Sequence, residues 1–343
     1  MHLMTHKSTH TAAQHSALIA DIGGTNVRFA LTDAGGRLRD VSVFACADYP
    51  DLLSAARAYL NTTPAGNQAK RGAFAIACPV TGERVRMTNM DWAFSIDELR
   101  RQLGFDSLDV INDFAAIAHA APHLSNDDRL QVGGGAAQVG APVGVIGPGT
   151  GLGVSALIPT DGGGVALQTE GGHVTLAATN ENEARVIHAL RQRFGHVSAE
   201  RALSGPGLVN LYETLAALGG VAVEPLTPEQ VSAQGLARPN SPCGKAVEMF
   251  CSMLGTVAAD LALSLGAHGG IYIAGGIVAK IGDAFERSGF RQRFEAKGRF
   301  SAYLTDIPTY VITHPYPALL GLSDILDREA LPQASSLSER RPS

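Results

Sequence analysis

The chain has 343 residues and 45% hydrophobic content, so it can form more than one layered core, and about 150 residues per domain predicts two domains. Lys and Arg number 27 against 32 Asp and Glu, and this net charge of −5 without charged runs argues against a nucleic-acid or anionic-membrane partner. The 4 scattered cysteines form no disulfide framework, which fits a reducing compartment such as the cytoplasm.

The N-terminal segment, residues 1–16, is MHLMTHKSTHTAAQHS and lacks the apolar core of a signal peptide. We expect a disordered leader here, although its histidines spaced by four could share a metal-binding helix face. No uninterrupted run of about 18 apolar residues occurs anywhere in the chain, so we expect no transmembrane helix.

A hairpin with a glycine-rich turn follows the leader. Strands at 18–22 and 27–32 flank the sequence GGTN at 23–26. Paired glycines permit positive φ and remove Cβ, so successive amide groups can converge on a phosphate. Asp21, at the end of the first strand, would reach such a ligand through a hydrated Mg²⁺. An ordinary tight hairpin with a solvated aspartate is the alternative.

Polar residues follow the strand predicted at 108–111. Asn112 and Asp113 precede an alanine-rich helix at 114–121. An acid at a strand end lies at the sheet edge, where open α/β folds bind ligands, and it could accept the proton of an attacking hydroxyl during phosphoryl transfer. Asn and Asp are also favoured N-cap residues, so helix capping is the alternative.

A second glycine-rich turn, GPGTGLG at 147–153, joins strands at 143–147 and 152–158. Its 4 glycines would destabilise a strand interior, so we expect a turn whose backbone approaches a ligand. No G-x-x-x-x-G-K-[ST] and no strict G-x-G-x-x-G occurs, which excludes a P-loop and does not support a Rossmann or protein-kinase loop. Two glycine turns with an acid between them predict an ATP-dependent kinase.

A polar cluster follows the second turn. TEGGH at 169–173 ends a strand at 165–169 and carries Glu170 and His173, and Glu200 comes later. Carboxylates and an imidazole offer the donors and acceptors that a polyhydroxylated neutral ligand requires. Glu170 and His173 could instead bind a metal, but no third His or Cys is spaced to complete a zinc site, and a lone His is often a surface residue.

Helices dominate the next stretch. Asn180 and Glu183 resemble a capping box at the start of one helix, and 245–266 is so apolar that we expect it to be buried. A strand at 270–274 then runs through Gly275 and Gly276 into a helix. These small residues would suit an adenine ring, or they would simply let the strand and helix pack closely.

The earlier elements, with strands at 73–78 and helices near 51–61 and 95–103, complete a first α/β unit. A final helix at 317–328 is expected to return to that unit, and the polar, proline-bearing end at 331–343 predicts a disordered tail.

With these segments in place, the chain resembles bacterial glucokinases of the hexokinase, Hsp70 and actin superfamily, in the group without a zinc motif. The matching segments run in family order from about Leu18 to about Asp327: DIGGTN, TNMDWAFS, INDFAAIAHA, GPGTGLG, TEGGH, ERALSGPGLVNLY and AGGI. The resemblance implies an α/β fold of duplicated ribonuclease H-like (actin-like ATPase) domains with an interdomain cleft. We expect a small domain at 17–122 plus 314–330 and a large domain at 123–313.

The resemblance also implies ATP-dependent phosphorylation of glucose at the 6-hydroxyl, the entry step of glycolysis, by a cytoplasmic homodimer. Asp113 would be the general base, and Asp21 would organise Mg²⁺ through water. The sugar would be bound by Asn89, Asn112, Asp113, Glu170, His173 and Glu200. The ATP phosphates would be held by Gly23, Gly24, Thr25, Gly149, Thr150 and Gly151, and we also assign Ala20, Asp21, Ile22, Gly275 and Gly276 to the nucleotide site.

Zinc-containing relatives carry clustered cysteines after the sugar-binding histidine, and here no such cluster occurs, so no structural zinc is expected. Two other classes keep part of this pattern. A sugar-sensing repressor would normally add a helix-turn-helix, for which 16 leader residues are too few. An actin-like filament or Hsp70-like ATPase would keep both phosphate turns but would have no reason for the polar cluster around Glu170.

Overall fold

The computed structural model describes residues 16–33, 35–63, 68–88, 90–161 and 163–330. For residues 329 and 330 it describes the backbone only. The predicted tail, most of the predicted leader and the predicted sugar ligand Asn89 lie outside these ranges. The chain divides into two compact units, one formed up to Ile111 and from Leu322 onward, the other by Asn112–Gly321. Both predicted domain limits, at 122 and 314, fall inside the second unit.

The first unit is built on a five-stranded sheet with the order β3-β2-β1-β4-β7, beside a small β5-β6 ladder. Its strands are β1 (Ala17–Ile22), β2 (Asn26–Thr32), β3 (Leu38–Ala45), β4 (Arg71–Ile76), β5 (Arg84–Arg86), β6 (Ala93–Ser95) and β7 (Ser107–Asn112). Neighbours β1 and β2 are antiparallel, β2 and β3 are antiparallel, and β1 and β4 are parallel. Strand β1 is the middle strand of the five, and nearly all of its residues are buried.

Two helices of this unit, α1 (Leu52–Thr62) and α2 (Ile96–Leu103), begin at side-chain caps from Asp51 and Ser95. The core includes aromatic rings from sheet and helix, with the centroids of Phe29 and Tyr59 stacked 5.2 Å apart. Such ring contacts contribute packing energy beyond the apolar area they bury.

The second unit has a six-stranded sheet with the order β11-β10-β9-β12-β13-β8. Its strands are β8 (Arg129–Gln131), β9 (Val143–Pro148), β10 (Leu152–Ile158), β11 (Val165–Gln168), β12 (Ile271–Ile273) and β13 (Thr309–Ile312). Here β9 and β10 are antiparallel, β10 and β11 are antiparallel, and β9 and β12 are parallel. The run β11-β10-β9-β12 therefore repeats the arrangement of β3-β2-β1-β4 in the first unit.

The helices that follow β7 are α3 (Asp113–Ala120), α4 (Glu181–Phe194), α5 (Gly205–Leu218), α6 (Pro228–Ala237), α7 (Pro242–Leu265), α8 (Gly276–Ile281), α9 (Asp283–Glu286), α10 (Phe290–Glu295), α11 (Ser301–Thr305) and α12 (Pro317–Ala330). From Leu322 onward α12 belongs to the first unit, where Arg71 donates to the carbonyl of Leu326. Asn180 caps α4 as predicted, but Glu183 accepts from the backbone amide of Thr179 instead of closing a capping box.

Helix α7 is long and apolar enough to span a membrane, and among the described helices it alone is. However, 67% of its most apolar window is buried inside the protein, and α7 packs against α5, α6 and α10. This burial is typical of the core helix of a globular domain, which agrees with the buried helix predicted at 245–266.

Candidate active site

Asn112 and Asp113 stand at the junction where β7 ends and α3 begins. Asn112 is the helix cap: its Oδ1 accepts from the backbone amides of Phe114 at 3.0 Å and Ala115 at 3.3 Å. Its Nδ2 donates to Asp113 Oδ1 at 3.0 Å, and the Phe114 amide donates to the same oxygen at 2.9 Å. The capping interpretation therefore applies chiefly to Asn112, while both donors fix the orientation of the Asp113 carboxylate.

The second glycine turn has a different neighbour at each of its glycines. A Cβ at Gly147 would meet the Phe114 ring at 2.6 Å, and one at Gly153 would overlap the same ring. A Cβ at Gly151 would lie 2.5 Å from Glu200 Oε2, whereas at Gly149 nothing lies within 4 Å. None of these four has a positive φ. The close approach predicted for the turn is real, but three of the four glycines make room for protein side chains and only Gly149 opens to space.

Glu200 holds this turn from the other side. Its Oε2 accepts from the backbone amide of Leu152 at 2.8 Å. The turn is further closed by the Gly149 amide donating to the Gly151 carbonyl at 2.8 Å, and the Gly205 amide at the start of α5 donates to the Gly149 carbonyl at 2.8 Å. The turn is therefore preorganised by the protein, with Thr150 exposed at its tip.

The TEGGH segment packs onto β10 beside this turn. Thr169 Oγ1 donates to the Val154 carbonyl at 2.8 Å, and Gly172 lies so close to the Leu152 carbonyl that no Cβ could be accommodated. Glu170 and His173 remain exposed, at 64% and 59% of their side chains, with Oε2 and Nε2 3.9 Å apart.

An antiparallel bridge between Thr175 and Ser198 joins this segment to the one that carries Glu200. The structure thus gathers Glu170, His173 and Glu200 around the second turn, in the unit that also contains Asp113.

The described residues contain no cluster of three or more His, Cys, Asp or Glu side chains suited to a metal ion. Glu170 and His173 form only a pair, so the alternative of a zinc site there gains no support. The cysteines Cys46, Cys78, Cys243 and Cys251 are buried, and none of these four is in a disulfide.

The third glycine junction lies next to the second turn in the same sheet. β12 runs parallel to β9, and Gly275 follows it with a φ of +94°. A Cβ at Gly275 would overlap the carbonyl of Pro148, while Gly276 faces open space. Close packing, the second of the two interpretations, therefore accounts for Gly275, and an open backbone surface remains at Gly276.

The first glycine turn, in the other unit, is a tight hairpin. The Gly23 amide donates to the Asn26 carbonyl at 3.0 Å, and a Cβ at Gly23, whose φ is not positive, would contact that same carbonyl oxygen at 3.3 Å. Ala20 and Ile22 are fully buried in β1, so their side chains face the core and only their backbone could contact a nucleotide. Thr25 is exposed at the tip of the turn.

Asp21 is already ion-paired within this hairpin. Its Oδ2 accepts from Arg28 Nη1 at 3.0 Å, and its side chain is 20% exposed. Burial raises the pKa of Asp21 above its ordinary value, although the charge and hydrogen bond of Arg28 act in the opposite direction. A single, partly accessible carboxylate with one oxygen engaged by Arg28 fits an outer-sphere role toward a hydrated Mg²⁺.

Sequence reasoning missed Arg28, Phe114 and Leu152. Arg28 could have been found, because it lies as far after the GGTN turn as Asp21 lies before it, and a tight hairpin pairs such positions. The contacts of Phe114 and Leu152 join distant segments, so no local pattern indicates them.

Comparison with known proteins identifies the family of the chain. The sequence model of the glucokinase family matches residues 18–329. The chain belongs to the glucokinase family. It is 51% identical over 310 residues to a glucokinase of Paramagnetospirillum magneticum, covering 90% of this chain and 97% of that protein.

Among solved structures, a glucokinase from an Antarctic psychrotroph is 37% identical, with a TM-score of 0.84 over 91% of this chain and 99% of that one. A ROK family glucokinase from Streptomyces griseus, solved with glucose and AMPPNP, shares the fold at 19% identity and a TM-score of 0.61, over 90% of this chain and 98% of that one. The prediction that the chain is a glucokinase, an enzyme that phosphorylates glucose with ATP, is confirmed, as is an α/β fold with mixed sheets.

Proposed function

We propose that the enzyme transfers the γ-phosphoryl group of ATP to the 6-hydroxyl of glucose, giving glucose 6-phosphate and ADP, with Asp113 as the general base. The observation that supports this assignment is the fixed carboxylate at the start of α3, held by Asn112 Nδ2 and by the Phe114 amide. A base whose orientation is fixed before the substrate arrives loses little entropy when it accepts the hydroxyl proton. Loss of that proton makes the sugar oxygen a better nucleophile as the phosphoryl group departs from ADP.

The remaining sugar hydroxyls would be bound by Asn112, Glu170, His173 and Glu200, together with Asn89. Supporting this, Glu170 and His173 are exposed beside the second glycine turn and carry accessible acceptor and donor groups. A polyol needs such paired donors and acceptors, because its hydroxyls leave bulk water only when their hydrogen bonds are replaced.

ATP would be held at Gly23, Gly24 and Thr25 in one unit and at Gly149, Thr150 and Gly151 in the other, with the adenosine near Gly275 and Gly276. The open space at Gly149 and Gly276 supports this placement. Mg²⁺, organised by Asp21 through water, would neutralise charge on the phosphate oxygens.

The repeated strand order of the two sheets supports duplicated ribonuclease H-like domains of the actin-like ATPase type, with an interdomain cleft as the resemblance implies. The proposal divides the chain into a small domain at 17–122 plus 314–330 and a large domain at 123–313. It also includes a homodimer that acts in the cytoplasm at the entry of glycolysis. Light scattering of the purified protein tests the dimer, which a monomeric mass would refute.

The activity is tested by measuring ADP production in the presence and in the absence of sugar. We expect ATP consumption with Mg²⁺ only when glucose is added, and glucose 6-phosphate as the product. An actin-like or Hsp70-like ATPase would instead release phosphate at the same rate without sugar. A panel of hexoses, including the 2-epimer mannose and 6-deoxyglucose, then defines specificity, and phosphorylation of 6-deoxyglucose would exclude the 6-hydroxyl as acceptor.

The general base is tested with Asp113→Asn and Asp113→Ala. Because the carboxylate is the proton acceptor, we expect kcat to fall by about 10²-fold or more while glucose and ATP still bind. Isothermal titration with glucose shows whether the binding site is intact. A kcat equal to that of the unaltered enzyme would remove Asp113 from this role.

A further inference from the structure

We propose that Phe114 is a positioning residue, whose ring, seated on a pair of facing glycines, sets the position of Asp113 relative to the second glycine turn. The proposal rests on the proposed function, because it concerns the placement of the base assigned there. It adds a residue to the machinery that neither binds substrate nor transfers a proton.

Helix α3 packs against one face of strands β9 and β10. In the β9-β10 ladder, Val143 pairs with Leu157, and Gly147 pairs with Gly153 nearer the turn. Side chains alternate along a strand, so these pairs lie on one face. Val143 and Leu157 share a core cluster with Ala118 of α3, against which Phe114 also packs. The intervening Ile146 and Val154 belong to the other core, on the opposite face.

The relative sizes of the strand and helix side chains reverse along this contact. Far from the turn, large strand residues such as Val143 and Leu157 share a core cluster with the small Ala118 of the helix. Next to the turn, the strands offer only hydrogen at Gly147 and Gly153, and the helix supplies the Phe114 ring. A Cβ at either glycine would collide with that ring. The ring therefore fills a depression shaped for it, and close-packed neighbours allow it little displacement.

Phe114 also contacts the proposed general base, Asp113, through its backbone. The backbone amide of Phe114 donates to Asp113 Oδ1 at 2.9 Å and to Asn112 Oδ1 at 3.0 Å. The ring rests on the facing pair Gly147 and Gly153, one pair before the β9-β10 ladder ends at Pro148 and Leu152, which adjoin Gly149 and Gly151. A single residue thus contacts the strands that hold the turn and the carboxylate of the base. Without the ring, the position of the start of α3 relative to the second glycine turn is no longer fixed. Small misplacements of a reacting group strongly lower reaction rates.

The principal experiment compares Phe114→Leu and Phe114→Met with Phe290→Leu. Phe290 is a fully buried ring on α10, packed against Phe285 and Phe294, so Phe290→Leu is a control for the loss of ring volume from the core of the same unit. We expect both Phe114 variants to fold and to lower kcat by roughly 10- to 100-fold, with the KM values for glucose and ATP changing by less than about threefold. Phe290→Leu should lower the melting temperature but keep kcat.

A second pair of variants separates position from packing. Gly153→Ala should lower both the melting temperature and kcat, because the new methyl group displaces the ring. In Phe114→Ala/Gly153→Ala that collision is absent. The fall in melting temperature of the double variant should therefore be smaller than the sum of the falls in Phe114→Ala and in Gly153→Ala, while kcat stays low. Recovery of the original kcat in the double variant would overturn the proposal.

Asp113→Asn, assayed in parallel, distinguishes the two ways of failing. If Asp113→Asn is inactive and the folded Phe114→Leu and Phe114→Met enzymes keep the original kcat, the positioning role is wrong and the general base stands. If Asp113→Asn retains full kcat, the general base is wrong, and the positioning role fails with it. A loss of kcat in Phe290→Leu equal to that in Phe114→Leu would also refute the special role of Phe114.

Discussion

The carboxylates assigned to the sugar differ in what they already bind within the protein. Glu200 accepts the Leu152 amide and lies against Gly151, whereas Glu170 is 64% exposed and has His173 beside it. An exposed carboxylate is free to take its geometry from the ligand. One that already holds the backbone of the second turn contributes to two functions at once. The two glutamates should therefore respond differently to substitution.

Glu170→Gln should mainly weaken sugar binding. A hydrogen bond to a charged group contributes about 1.5 to 3 kcal/mol, so we expect the KM for glucose to rise by roughly 10- to 100-fold with kcat less affected. Steady-state kinetics with varied glucose measure this change, and the KM for ATP serves as the internal control. An unchanged glucose KM would contradict the placement of Glu170 at the sugar.

Glu200→Gln and Glu200→Ala should separate the two roles of this residue. The amide oxygen of glutamine still accepts from Leu152, so we expect Glu200→Gln to weaken glucose binding and leave the KM for ATP close to normal. Glu200→Ala removes the acceptor and leaves the Leu152 amide unpaired, so the KM for ATP should rise as well, by roughly tenfold for a loss of about 1.4 kcal/mol. Equal ATP affinities of the two variants would show that the hydrogen bond does not support the turn.

At the scale of elements, the apolar patterns predicted most helices and strands to within a few residues. The strand expected at 73–78 is β4, which begins and ends two residues earlier. Strand β3 was missed because it lies at the sheet edge and none of its residues is fully buried, so its apolar residues do not form a continuous run. Strands β5, β6, β8 and β13 were missed because short strands carry too few residues to show a period. Composition located the glycine turns, but the partners of their glycines are residues remote in sequence.

The start of α3 provides a prediction at this scale. Asn112→Ala removes the cap and should destabilise the protein by about 1 kcal/mol, while it also removes the amide donor to Asp113 and lowers kcat. Asn112→Asp restores the capping acceptor but places a second negative charge beside Asp113. Its melting temperature should therefore approach that of the unaltered protein while its kcat stays low. A normal kcat in Asn112→Asp would show that the amide donor is dispensable.

At the scale of the whole molecule, each unit has its own core and its own sheet, and β3-β2-β1-β4 in one sheet is arranged like β11-β10-β9-β12 in the other. The second unit also contains a buried ion pair away from the residues assigned to substrate. Glu183, 2% exposed, accepts from Arg293 Nη1 at 2.8 Å and from Thr179, and Arg293 also donates to Thr256. These contacts join α4, α7 and α10.

This ion pair makes stability depend on pH in a defined direction. Burial tends to raise the pKa of Glu183, but the hydrogen bonds from Arg293 and Thr179 and the charge of Arg293 together lower it. The folded pKa lies below the unfolded value of about 4.3, so the contribution is present above that pH and is lost as pH falls through the folded pKa.

Glu183→Gln should therefore lower the free energy of unfolding by about 2 to 3 kcal/mol at pH 7, because Arg293 loses its charged partner while it remains mostly buried. Denaturant titrations at pH 7 and pH 3 measure the difference, which we expect to shrink at pH 3. The exposed pair Lys280 and Glu229 gives a control, and Glu229→Gln should change stability little. A pH-independent difference for Glu183→Gln would contradict the assignment.

The sequence by itself determined the glycine turns and the strands that flank them, the family and the chemical type of each proposed site residue. These depend on local composition and on motifs, which a linear chain displays directly. Only the tertiary structure decided why the glycines are there: Gly147 and Gly153 make room for Phe114, and Gly151 makes room for Glu200. Such contacts join residues far apart in sequence, and close packing selects them when the chain folds.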